Sequence, residues 1–172
     1  LKNALAIANG HRIHILNILN DKILPGLEMS FEHELCTLEI FADLSGKSYL
    51  AVGEWMTWNV SIVECATASM RVIQDQLSVS DIQPRSLMFC QFTEDVGYFF
   101  IGRGDGNVDY FQFDEREKKM REPKRIPLGT RLVTFTQFDA HGQVNVFACS
   151  DRPCVIFCRN GKLLFSNVNI PD

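Results

Sequence analysis

VNVFACSDRPCVIFCRNGKLLFSN, residues 144 to 167, holds three short apolar runs separated by SDRP and RNG. The runs are Val144 to Ala148, Cys154 to Phe157 and Leu163 to Phe165. Aspartate, proline and Asn-Gly are turn formers, and Asn-Gly is the strongest short signal for a β-hairpin. The stretch therefore predicts three antiparallel strands joined by tight turns.

The same pattern recurs upstream at a nearly constant spacing. Units begin at Glu34, Ser86 and Arg131, which are 52 and 45 residues apart. YLAVGEWMTWNVSIV, YFFIGRGDGNVDYFQF and NVFACSDRPCVIFC align as the second strand, turn and third strand of each unit. This spacing is typical of four-stranded propeller blades. We predict an all-β chain with blades at about residues 34–80, 86–130 and 131–170.

A shorter unit precedes the first blade. Ala4 to Ile7 and Arg12 to Ile18 flank Asn9-Gly10 and predict a leading hairpin, and Pro25-Gly26 predicts the turn that follows it. The chain starts without methionine, so we expect a piece of a larger propeller protein. The open blade faces are expected to need further sequence or a companion chain.

Composition excludes several classes of protein. A net charge of -4 over 172 residues gives no basic field for nucleic acid. Neither a signal peptide nor an apolar run of membrane-spanning length is seen. The six cysteines lie in strand-like runs, which predicts reduced core thiols in a reducing compartment.

Motifs that resemble reactive or metal sites are better explained as structure. The glycines of GRGDG, from Gly102, join two strands, so no helix N-terminus follows to bind a phosphate. His11 and His14, or Cys149, Cys154 and Cys158, lack a second ligand pair for zinc. No nucleophile with a base can be assembled. We expect no catalytic residue, no cofactor and no metal.

A basic run from Arg116 to Arg125, REKKMREPKR, is predicted to be a solvated loop before a weak fourth strand at Arg125 to Leu128. Phosphate contact or nuclear import is the alternative interpretation of this run.

The tryptophans are the strongest candidates for binding. Trp55 and Trp58 occur in GEWMTW, at a predicted blade turn. A large aromatic side chain there either caps the blade or anchors a partner. In an extended segment their offset of three points the rings to opposite sides, so at most one is expected to face outward.

Several of these motifs together carry a family resemblance. HELCTLEI, IQPRSLMF, GDG, LGT, NVFACSDRPCVIF and KLLFSNVNI resemble the family of the large damaged-DNA-binding subunit, from about Glu28 to Asn169. The first twenty-seven residues match less well. Large cleavage-and-polyadenylation and splicing-factor subunits share the architecture. The family form GLW-TDIS differs here, because Glu54 precedes the tryptophan and Met56 to Asn59 follow it.

The resemblance implies a segment of a seven-bladed β-propeller, the later part of the second of three propellers. The implied function is a non-enzymatic adaptor of cullin-4 RING ubiquitin ligases, linked to DNA damage recognition and repair, in the nucleus and cytoplasm. The propeller would dock cullin-4 through Glu34 and Trp55. Substrate receptors and the small damaged-DNA-binding subunit would bind the other propellers, with no nucleic acid or membrane bound by this segment.

Two alternatives remain open. One is an RNA-processing scaffold of the same superfamily, and the other is an enzyme with its active site in the propeller channel.

Overall fold

The computed structural model describes residues 3–77 and 80–169. In these ranges the regular structure is fifteen β-strands in four antiparallel sheets, which confirms the all-β propeller segment. None of the described residues forms a helix of the length and apolarity needed to cross a bilayer. Residues 78, 79 and 170, which fall inside the predicted blades, lie outside the described residues.

The chain divides into two compact units, the first of which is Leu1–Gln83. It contains a three-stranded sheet in the order β1-β2-β3 and a four-stranded sheet in the order β4-β5-β6-β7. The strands are β1 Ala4–Asn9, β2 Arg12–Leu19, β3 Lys22–Ser30, β4 Leu35–Ala42, β5 Ser48–Glu54, β6 Val60–Cys65 and β7 Met70–Gln74.

The second unit is Pro84–Asp172 and contains two four-stranded sheets. Their orders are β11-β10-β9-β8 and β12-β13-β14-β15. The strands are β8 Pro84–Thr93, β9 Val96–Arg103, β10 Asn107–Asp114, β11 Lys119–Pro127, β12 Thr134–Ala140, β13 Gln143–Cys149, β14 Cys154–Arg159 and β15 Lys162–Asn167.

The predicted leading hairpin is extended by a third strand, and the prediction of a turn at Pro25-Gly26 is wrong. Both residues lie inside β3, which is an edge strand of its sheet. The pairing of β2 with β3 shifts between His14 and Leu16, so Pro25-Gly26 lies at a β-bulge. Proline is tolerated at edges and bulges because it has no N–H to donate. Gly26 also passes so close to the Ile15 carbonyl that a side chain would collide with it.

The basic run is also different from its prediction as a loop. Most of it forms β11, which pairs with β10 from Asp114↔Lys119 to Asn107↔Pro127. A register shift beside Tyr110 accommodates Pro123, and β11 is an edge strand. Charges and proline are common on such edges because they oppose pairing with other chains.

Each unit has its own apolar core. In the first, Ile13 and Ile15 of β2 pack with Leu50, Val52 and Val63. This packing buries the continuous apolar run of β5. In the second unit, aromatic residues of β9 and β10 pack against β13 and β14, and the cluster includes Phe100, Val108, Val146, Ala148 and Ile156.

The burial of the cysteines agrees with the prediction only in part. Cys65, Cys90 and Cys154 are buried, as predicted. Burial raises the pKa of Cys65 to about 11 and that of Cys90 to about 12. Cys154 belongs to the second core and Cys158 packs against it, so the two share a strand face. Cys149 is exposed, because it ends β13 beside the SDRP turn, and its prediction as a core thiol is wrong.

Three short motifs, GDG, LGT and SDRP, meet at one corner of the second unit. Gly106 lies against Gly129, and a side chain on Gly129 would collide with Ser150 and Asp151. The Asp151 carboxylate accepts hydrogen bonds from the backbone N–H groups of Thr130, at 2.8 Å, and Arg131, at 3.2 Å. These hydrogen bonds therefore hold the connection between β11 and β12 against the turn between β13 and β14.

Asp151→Asn is expected to loosen this corner at neutral pH. Hydrogen bonds, first from the Thr130 backbone and then from the Ser150 and Thr130 hydroxyls, hold the pKa of Asp151 well below its usual range. A depressed pKa contributes stability above the unfolded value of about 3.9, and the contribution is lost progressively as the pH falls below it. Exchange protection of the Thr130 and Arg131 amides should be lower in the variant at pH 7, with a smaller difference at pH 3.

Asp139→Asn is a suitable control, because Asp139 is an exposed carboxylate of β12 in the same sheet. It should leave the protection of both amides unchanged. A difference for Asp151→Asn that is as large at pH 3 as at pH 7 would contradict the role assigned to the charge.

Candidate protein-docking site

The turn between β5 and β6 presents apolar side chains to solvent. It is closed by a backbone hydrogen bond of 3.0 Å from the Glu54 N–H to the Asn59 carbonyl. The Thr57 hydroxyl donates to the Glu54 carboxylate at 3.1 Å. Trp58 has a φ of 57°, a left-handed conformation that is rare for a bulky residue and shows that the turn is tightly specified. We call residues 55–58 the tryptophan turn.

The tryptophan turn exposes both rings instead of one. Trp55 is 37% exposed, Trp58 36% and Met56, between them, 65%. The prediction that at most one ring faces outward is wrong, because it assumed an extended segment and the chain turns here. Three neighbouring apolar side chains on one turn are a typical feature of a protein interaction surface.

Glu34 and Trp55, the two residues predicted to dock a partner, are brought together by the backbone. The Trp55 N–H donates to the Glu34 carbonyl at 2.8 Å, just before β4 pairs with β5. The Glu34 side chain is exposed. The backbones of Glu34 and Trp55 are thus neighbours where β4 begins and β5 ends.

A cavity beside the tryptophan turn was missed by sequence reasoning. Its volume is about 610 Å³, and Glu32, Glu54, Thr57, Asn59 and Asp75 are among the residues that line it. The sequence carries one signal for it, because Glu54 is an acidic residue at the end of the otherwise uncharged run SYLAVG, which forms a buried strand. We call this cavity the acidic pocket.

Charge in the second unit is arranged differently. Arg103 is fully buried and pairs with Asp109 at 3.0 Å. Arg125 also pairs with Asp109, at 2.5 Å. Burial lowers the pKa of Arg103, and Asp109 opposes this change.

Several basic side chains of the run from Arg116 to Arg125 are paired with acidic neighbours. Arg121 lies 3.1 Å from Asp114, and Lys118 lies 2.7 Å from Glu115. These pairs reduce the positive charge that β11 could offer to phosphate groups.

Among residues 3–77 and 80–169, no group of three or more acidic, histidine or cysteine side chains is placed to hold a metal ion. His14 instead lies 3.5 Å from the Glu28 carboxylate on the neighbouring strand.

Comparison with known proteins identifies the fold family. The family described as the RSE1/DDB1/CPSF1 second beta-propeller matches residues 4–172. The match includes residues 4–27, for which the sequence motifs gave little.

Individual relatives carry the same name in plants and insects. The chain is 35% identical over 171 residues to DNA damage-binding protein 1b of Arabidopsis thaliana, covering 98% of this chain and 15% of that protein. It is 32% identical over 171 residues to DNA damage-binding protein 1 of Oryza sativa, with the same coverage of both chains. Against DNA damage-binding protein 1 of Drosophila melanogaster it is 37% identical over 123 residues, 72% of this chain and 10% of that protein.

The chain thus spans about 15% of the length of its Arabidopsis and rice relatives. With four antiparallel sheets of three or four strands and a family match from residue 4 to residue 172, the chain belongs to the RSE1/DDB1/CPSF1 second beta-propeller family.

Proposed function

We propose that this segment is a non-enzymatic docking surface of a cullin-4 RING ubiquitin ligase adaptor. The observation that carries the proposal is the tryptophan turn, which exposes three apolar side chains and is fixed by a backbone hydrogen bond to Glu34. The likeness to proteins named DNA damage-binding protein 1 supports a role in DNA damage recognition and repair.

The mechanism is rigid presentation of an aromatic anchor. Glu54 and Asn59 fix the ends of the turn by pairing with each other, and β5 behind it is buried along its whole length. Little side-chain and backbone freedom is therefore lost when a partner helix covers the turn. Aromatic side chains in such settings contribute a large share of binding energy.

Partners and location follow from the same proposal. The other propellers of the full-length protein would bind substrate receptors and the small damaged-DNA-binding subunit. The complex would work in the nucleus and the cytoplasm, on the ubiquitin-like conjugation pathway. The acidic balance of this chain supports docking of protein instead of DNA.

Affinity capture of the full-length protein, followed by mass spectrometry, tests the proposal. Recovery of cullin-4 is the expected result. The family description also covers RSE1 and CPSF1, which favours a second candidate, an RNA-processing scaffold. Recovery of splicing or polyadenylation subunits without a cullin would establish that candidate and overturn the ligase role.

A further inference from the structure

The sheets β4–β7 and β8–β11 place corresponding residues in the same register, although their charges differ. Gly53 pairs with Val60 in one sheet, and Gly102 pairs with Val108 in the other. Glu54 therefore corresponds to Arg103, and Ser61 corresponds to Asp109. Both sheets also have a register shift between the third and fourth strands, just beyond these positions.

The fourth strands complete the correspondence. Asp109 pairs with Arg125 across β10 and β11. In the other sheet Ile62 pairs with Gln74, and the Ser61 hydroxyl donates to Asp75 at 2.7 Å. Asp75 is thus the counterpart of Arg125. Where one sheet carries Arg, Asp and Arg, the other carries Glu, Ser and Asp.

In the sheet β8–β11 these charges compensate one another. The buried guanidinium of Arg103 and the partly exposed one of Arg125 both bind the Asp109 carboxylate. A buried arginine is tolerated only with such a partner. In the sheet β8–β11 this site is therefore occupied by side chains of the sheet itself.

In the sheet β4–β7 the corresponding site is the acidic pocket, and its side chains mainly accept hydrogen bonds. Glu54 is 8% exposed and accepts one hydrogen bond, from Thr57, with no ion pair to any described residue. Asn59 Nδ2 donates to Asp75 at 2.5 Å, which fixes the amide so that its buried Oδ1 has no partner in the described structure. Glu32 adds a third carboxylate; His33 also belongs to the lining, and no described lysine or arginine does.

Glu64, in the same sheet, shows what a compensated carboxylate looks like. Lys47 and Arg71 both bind it, the latter at 2.9 Å. Hydrogen bonds from these two cations lower the pKa of Glu64. Glu54 is comparably buried but has no such cation, and its carboxylate accepts a hydrogen bond from the Thr57 hydroxyl.

We propose that the acidic pocket receives a basic side chain, an arginine, from the protein that docks on the tryptophan turn. The arginine enters the pocket from the partner, with its guanidinium donating to the Glu54 carboxylate, and supplies the positive charge that Arg103 supplies in the other sheet. Planar guanidinium donors suit a site of several carboxylate and amide oxygens. This inference rests on the proposed docking function and assigns the pocket beside Trp55 to the recognition of charge.

Two variants of the full-length protein test the proposal by their Kd for cullin-4. Glu54→Gln keeps the shape but replaces a charge-assisted hydrogen bond with a neutral one, so Kd is expected to rise about tenfold. Glu54→Arg places a guanidinium at the position of Arg103 in the other sheet, fills the pocket from within, and leaves the hydrogen bond from Ser61 to Asp75 in place. It should weaken binding by tenfold or more. Glu64→Gln is the matched control and should leave Kd unchanged.

Thermal unfolding separates binding from folding. Glu54→Gln removes a buried charge without a cation partner, so its melting temperature should equal or exceed that of the wild type. A lower melting temperature would assign Glu54 to the fold and overturn the proposal. So would a wild-type Kd for either pocket variant while Trp55→Ala loses binding, an outcome that leaves the docking function standing. Failure of the wild type to bind cullin-4 would overturn both proposals.

Discussion

Replacing Trp55 with alanine in the full-length protein is expected to raise the Kd for cullin-4 by about 30-fold or more. An aromatic anchor at the centre of an interface contributes about 2 kcal/mol or more, and 1.4 kcal/mol corresponds to a tenfold change in Kd. The fold should be retained, because the ring is partly exposed and the backbone bond to Glu34 does not use the side chain. Kd by calorimetry, with circular dichroism for the fold, measures both.

Trp58→Ala provides the matched comparison. Trp58 lies in the same turn and has nearly the same exposed fraction, 36% against 37%. If Trp55 is the anchor, the alanine variant of Trp58 will lose much less affinity. Equal losses would show that the turn acts as an undivided apolar patch, and an unchanged Kd for Trp55→Ala would remove the docking proposal altogether.

The second large effect is expected on stability, from Asp109→Asn. Arg103 is fully buried, and Asp109 is the partner that compensates its charge within the sheet. Breaking a buried pair on one side costs about 3–5 kcal/mol, because the remaining charge stays desolvated. The melting temperature of this propeller in the full-length protein should fall by roughly 10 °C. Faster hydrogen exchange in β9 and β10 would locate the loss.

A double substitution distinguishes loss of charge balance from loss of shape. Arg103→Met with Asp109→Leu removes both buried charges and leaves Arg125, whose side chain is 45% exposed, to be solvated. Its melting temperature should lie closer to the wild type than that of Asp109→Asn. A double variant less stable than the single one would show that the hydrogen-bond geometry, and not the charge balance, holds the sheet together.

Sequence reasoning failed where a strand carries features typical of a loop. Pro25-Gly26 lies in β3 and most of the basic run lies in β11, since edges and bulges accept residues that interior strands reject. Trp55 and Trp58 were assigned to opposite sides because the expected segment was extended. The left-handed φ of Trp58 shows why a period of two does not apply there.

The sequence by itself determined the all-β class and most of the interior strands, in their order along the chain. Alternation of apolar residues and Asn-Gly turns are local signals, which act over a few residues and need no partner to be recognised. That is why Val144–Asn167 forms β13, β14 and β15 with the turns that its residues predict.

Only the tertiary structure decided which charges are compensated. Glu54 and Arg103 occupy the same position of the repeat, but the Arg103 guanidinium binds Asp109 on the next strand, whereas the Glu54 carboxylate accepts a hydrogen bond from Thr57 in its own turn. The pairing of Asp109 with Arg125, and of Ser61 with Asp75, depends on a register shift in each sheet that brings together residues 16 and 14 positions apart. Electrostatic balance depends on burial and on contacts between residues far apart in sequence. The local residue pattern predicts neither of these.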